Sequence, residues 1–126
     1  MTSLNARSIA LAMLAPAALL GLASQAQAHA HLMSANPAPN ATVGAGVKAI
    51  ALHFSEAPMT RFSGVDVVTA NGAKVAAVPA TVAPNDRKTL TTILKTPLAR
   101  GAYKVNWRAV TADTHRVQGS YSFMVR

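Results

Sequence analysis

The sequence predicts an all-β fold, an antiparallel sandwich or partly open barrel. No segment beyond residue 31 keeps a helical period for about ten residues. β-Branched residues alternate with small and polar ones, and Pro, Gly and Asn punctuate the chain. About seven short strand-like segments recur at intervals of roughly ten residues, the spacing of sandwiches and barrels.

Residues 34–46 (SANPAPNATVGAG) hold two prolines, two glycines and two asparagines, which suits an extended arm with turns. Residues 48–54 (KAIALHF) alternate, with Ile50, Leu52 and Phe54 on one face of a half-buried strand. Pro58 then breaks the pattern. Residues 64–69 (GVDVVT) and 74–78 (KVAAV) flank Asn71-Gly72, the best local hairpin signal in the chain. Residues 79–88 read as a loop and residues 89–94 (TLTTIL) as another short strand. After Gly101, Tyr103, Val105, Trp107 and Ala109 alternate with Lys104, Asn106 and Arg108. The last strand alternates Val117, Gly119, Tyr121, Phe123 and Val125 against polar partners. Trp107, Tyr121 and Phe123 are expected in the core.

The first 28 residues have a different character. Arg7 is their one charge, residues 9–22 (IALAMLAPAALLGL) are continuously apolar, and residues 24–28 (SQAQA) end in Ala-x-Ala. This is the three-part layout of a secretory signal peptide. The apolar run of 14 residues is short of the roughly 20 that span a bilayer. The expected organisation is therefore a leader, residues 1–28, removed on export, and one domain, residues 29–126. No cysteine is present, so neither disulfides nor an N-terminal lipid thioether are available.

Without Arg7 the domain keeps 11 Lys and Arg against 4 Asp and Glu, a formal +7. The basic residues are scattered, never three in a row, and an exported chain meets no nucleic acid, so that partner is not expected. Catalytic signals are nearly absent: no nucleophilic cysteine, no Gly-rich phosphate loop, no Gly-x-Ser-x-Gly. The chain reads as a non-enzyme.

The remaining chemistry lies in His29, His31, His53, Asp113 and His115. Asp113 and His115 stand two apart in a turn between the last two strands; in extended chain they share a side. Cleavage after Ala28 makes His29 the first residue, whose α-amine and ring Nδ1 can chelate one ion. The amine's pKa near 8 lets a metal displace its proton at neutral pH. Adding Asp113 and His115 gives three nitrogens and one oxygen in a plane, a set that suits Cu(II). Two other arrangements use the same residues. With the same cleavage, His31 in third position can join the amine and two deprotonated amides in a square-planar Cu(II) or Ni(II) chelate. Cleavage after Ala30 instead makes His31 the terminal ligand. His53 reads as a partly buried histidine satisfied by a neighbour. Glu56 is placed to orient a metal-bound imidazole.

HAHLMSANPAP at residues 29–39, LHFSE at 52–56, TPLARGAYKVNWRAVTADTH at 96–115 and GSYSFMV at 119–125 together resemble the periplasmic copper-resistance family CopC. The resemblance implies a seven-stranded Greek-key, immunoglobulin-like sandwich or barrel. It also implies one Cu(II) per chain, held by the amine and ring of His29 with Asp113 and His115, and cleavage after Ala28. The implied role is a periplasmic copper carrier or buffer, monomeric, with an inner-membrane copper importer or another periplasmic copper protein as partner. A second reading is a copper-dependent oxidative enzyme, which Asp113 in the metal plane and the small size disfavour. Some family members hold Cu(I) in a methionine-rich loop. Here Met33, Met59 and Met124 are well separated, so a Cu(II)-only protein is expected and the methionines read as packing residues, Met59 being at most a remnant.

Overall fold

The computed structural model describes residues 30–126. The expected leader and the candidate ligand His29 lie outside the described residues. Eight strands form: β1 (Leu32–Asn36), β2 (Thr42–Val43), β3 (Ala49–Phe54), β4 (Gly64–Thr69), β5 (Thr81–Ala83), β6 (Asp86–Ile93), β7 (Gly101–Val110) and β8 (Arg116–Val125). A short 3-10 turn, Thr60–Phe62, lies between β3 and β4.

The strands build two four-stranded sheets, ordered β1-β3-β6-β5 and β2-β8-β7-β4. Eight strands therefore stand where about seven were expected, in two distinct sheets and not one barrel wall. One pair also departs from the antiparallel expectation, because β2 runs parallel to β8. The arm supplies both extra pairings: β1 lies along β3, and β2 is fixed by Met124 N–H to Ala41 O at 2.9 Å and Arg126 N–H to Val43 O at 3.0 Å. β5 likewise forms inside the expected loop, as an edge on β6.

The strand expected at residues 74–78 does not form. The Asn71-Gly72 turn closes, with Gly72 at φ +86 and Thr69 N–H on Ala73 O at 2.8 Å. Beyond it the chain makes one bridge to β4 at Lys74 and one to Leu94 from Ala77. Val75 N–H still reaches Val67 O, but Val78 N–H bonds Ile93 O at 2.8 Å in the other sheet. The segment crosses between sheets before a ladder can build on either.

Period-two alternation sends one side chain in two inward, and these make the core. Ile50, Leu52 and Phe54 of β3 and Leu90 of β6 face Val105 and Ala109 of β7 and Phe123 and Val125 of β8, all at most 3% exposed. Each large apolar side chain so buried contributes about 2 kcal/mol. Phe54 meets Trp107 edge-on across the sandwich, ring centroids 5.2 Å apart, and Tyr103 stacks on Phe123. Tyr121 is in the core as expected, and Trp107 is half-buried against it.

Candidate metal centre

β7 and β8 pair along their whole length, from Gly101 opposite Val125 to Val110 opposite Arg116. That ladder leaves a tight five-residue turn, residues 111–115, to connect them. Thr111, 3% exposed, roots the turn: its carbonyl accepts Thr114 N–H at 2.8 Å, and its amide donates to His115 O at 3.2 Å. Thr114 adopts φ +66, a left-handed conformation rare for a β-branched residue, with its hydroxyl on Asp113 O. Such strain persists only where surrounding bonds enforce it.

Asp113 and His115 are brought together by this turn. His115 Nδ1 lies 2.6 Å from Asp113 Oδ2, and His115 N–H donates to Oδ1 at 3.3 Å. The Thr111 hydroxyl also donates to Oδ1. These bonds, Thr111 first and His115 next, hold the Asp113 carboxyl well below the usual carboxylate range. It is therefore an anion at every pH near neutrality, a ligand needing no proton removed. Two ligand atoms at right angles, each about 2 Å from a divalent ion, stand about 2.8 Å apart. The Nδ1–Oδ2 pair is already near that spacing.

The other strand ends converge on this turn. β4 starts with Gly64 opposite Arg108 near the end of β7, and Met59 N–H reaches Val110 O at 2.8 Å. The segment from Met59 back to Ser55 leads to the end of β3, beside the start of β1. There Ser55 N–H donates to His31 O at 2.9 Å, and His31 N–H donates to Ser55 Oγ at 2.8 Å. Ala30, the first described residue, is 4% exposed. The start of the described chain and the Asp113–His115 turn thus lie at the same end of the sandwich.

The other candidates separate from the pair. His53 projects from the outer face of β3, its Nδ1 2.9 Å from Thr89 Oγ1 and 3.6 Å from Asp86 Oδ2. This is the satisfied histidine the sequence suggested, though its neighbours come from β6. Glu56 is half-buried in the Ser55–Met59 stretch, and Asp113, not Glu56, holds the turn's imidazole. Among the described residues no three His, Cys, Asp or Glu side chains converge as a metal site. Sequence reasoning missed Thr111 and Ser55. The first is signalled only by a hydroxyl two residues before Asp113, the second by nothing local.

Residues 32–126 match the CopC domain. The chain belongs to the CopC family. CopC proteins are periplasmic copper-binding proteins of copper homeostasis and resistance, and they are not enzymes. Copper resistance protein C of Pseudomonas syringae pv. tomato is 41% identical over 106 residues, covering 80% of this chain and 83% of that one. Among solved structures, PcoC of Escherichia coli, described as a methionine-rich copper resistance protein, superposes with TM-score 0.72 at 36% identity. That match covers 79% of this chain and all of PcoC. CopC of Methylosinus trichosporium OB3b superposes with TM-score 0.70 at 30% identity, covering 77% of this chain and 93% of its own.

Proposed function

We propose that this CopC protein is a monomeric periplasmic carrier or buffer that binds one Cu(II) through His29, Asp113 and His115. Cleavage after Ala28 frees the His29 amine, which joins its own ring nitrogen, the Asp113 carboxylate and the His115 imidazole around the ion. The observation that carries this reading is the Asp113–His115 pair, 2.6 Å apart at the end of the sandwich where the described chain begins. Three nitrogens and one anionic oxygen favour Cu(II) over other available divalent ions. Copper so held passes to an inner-membrane importer or another periplasmic copper protein.

The chelate through two backbone amides and His31 fits less well. It needs the His31 amide deprotonated, whereas that N–H donates to Ser55 Oγ and His31 O accepts from Ser55. Losing that N–H donor would remove one of the two bonds that tie the start of the chain to Ser55. Met33, Met59 and Met124 are well separated in the sequence, which supports a protein without a methionine-loop Cu(I) site.

The test is Cu(II) EPR with competitive titration on the processed chain. His115→Ala, or one residue added before His29, should each remove nitrogen coupling and weaken binding at least tenfold. Unchanged spectra in both would transfer the site to the His31 chelate. Intact mass with and without Cu(II) fixes the first residue and the stoichiometry together.

A further inference from the structure

The outer face of the β1-β3-β6-β5 sheet carries donors that the Cu(II) reading does not use. Leu32 pairs with Phe54 and Ser34 with His53, so Met33 and Ser34 together oppose one residue of β3. That is a β-bulge, which turns two successive side chains to one side. Phe54 is buried and His53 points outward, so the bulge sends Met33, 64% exposed, to the His53 face. His31 is bonded opposite Ser55, just past the end of β3, and is exposed beside Leu32, which packs on the core, so alternation sets it on the outer face with His53. Directly opposed residues have Cβ atoms about 5 Å apart, and diagonal neighbours remain within reach of long side chains.

His53 is already oriented as a ligand. The Thr89 hydroxyl has a single proton and gives it to Asp86 Oδ2 at 2.6 Å. Its oxygen can therefore only accept from His53, which fixes the proton on Nδ1 and leaves the lone pair on Nε2. Metal-binding histidines are commonly held this way, by a chain from the other ring nitrogen to a carboxylate.

We infer a second metal site on this face, where the Met33 thioether and the His53 and His31 imidazoles hold a soft monovalent ion, Cu(I) or Ag(I). A thioether with imidazoles selects such ions over the hard or borderline divalent ones. The site departs from the Cu(II)-only expectation, because strand register, and not a run of methionines, assembles it. It shares no ligand with His29, Asp113 and His115.

Silver nitrate in chloride-free buffer is the redox-inert probe, read by NMR of carbon-13 methyl-labelled methionine in the processed chain. The Met33 methyl signal should shift and saturate at one equivalent, while Met59 and Met124 stay in place. Met33→Leu, His53→Gln and His31→Ala should each weaken Ag(I) binding at least tenfold and leave the Cu(II) EPR spectrum of the other site unchanged. An unmoved Met33 signal, or full Ag(I) affinity in any of the three variants, would overturn the proposal. So would Ag(I) binding lost only in His115→Ala. If His31→Ala changed the Cu(II) spectrum while Ag(I) still moved Met33, the Cu(II) assignment would fail and not this site.

Discussion

His115 Nδ1 shares a proton with Asp113 Oδ2 at 2.6 Å, so the two groups that the sequence nominates as ligands hold each other in place before any metal arrives. The carboxylate both orients the imidazole and supplies charge. Asp113→Asn should therefore weaken Cu(II) binding by about 10- to 100-fold, the usual effect of losing such a partner. Competition titration measures the loss. The same variant tests the acid behaviour of the fold. A carboxyl held below its usual pKa contributes stability above the unfolded-state value and loses it as pH falls through the folded one. Asp113→Asn should flatten that part of the acid unfolding curve; an unaltered curve would mean the bonds form equally in the unfolded chain.

Thr114 holds a left-handed conformation at φ +66 between those two residues. Glycine adopts that conformation without penalty, at the expense of a more flexible unfolded chain. Thr114→Gly should leave stability within about 1 kcal/mol of the parent, on the stabilising side, with Cu(II) affinity retained. Urea unfolding decides it. A large loss of stability would show that the Thr114 hydroxyl bond to Asp113 O matters more than backbone strain.

The longer strands were legible in the sequence because their alternation is driven by burial on one face only. β3, β4, β7 and β8 appear within a residue or two of the expected bounds. β1, β2 and β5 were not legible, since edge strands this short are created by their neighbours and not by their own pattern. The 74–78 segment failed for the converse reason: its local pattern is strand-like, but its partners lie in different sheets. The candidate site divides in the same way. Asp113 and His115 are near in sequence and the turn unites them, whereas Thr89 and Asp86 reach His53 only through the β3–β6 register. Met33 gained its place beside His53 from a bulge that no periodicity announces.

Tyr121 carries a hydroxyl with no hydrogen-bond partner among the described residues, and burial pushes its pKa up to about 12. A buried, unsatisfied polar group destabilises the fold, so Tyr121→Phe should be neutral or raise stability by up to about 1 kcal/mol. The pH dependence has a definite sign. The neutral phenol is favoured in the folded chain, so its contribution is intact below the unfolded pKa near 10 and is lost as pH climbs toward 12. Tyr121→Phe should remove that alkaline loss, measured by urea unfolding between pH 9 and pH 11 (about the range where unfolded tyrosine begins to ionise). A substantially less stable variant would reveal a partner for the hydroxyl.

Gly119 sits on the inner face of β8 directly opposite Trp107 of β7, and the indole occupies the space a side chain would need. A Cβ built there would stand 2.5 Å from Trp107 Cζ2, a distance no real contact sustains. The ring cannot simply move aside, because its other edge meets Phe54 across the sandwich at 5.2 Å between centroids. Gly119→Ala should therefore overpack this layer and destabilise the fold by about 1–3 kcal/mol. Trp107 is the chain's one tryptophan, so its fluorescence reports the displacement directly. The Asp113–His115 turn belongs to the same hairpin, four residues from Gly119 at its nearer end, and the ladder between β7 and β8 transmits the shift. Cu(II) affinity should fall along with stability in Gly119→Ala and recover in the double variant Gly119→Ala, Trp107→Phe, whose smaller ring restores the space. Failure of the second change to restore either property would place the damage in the β8 backbone and not in the contact with the indole.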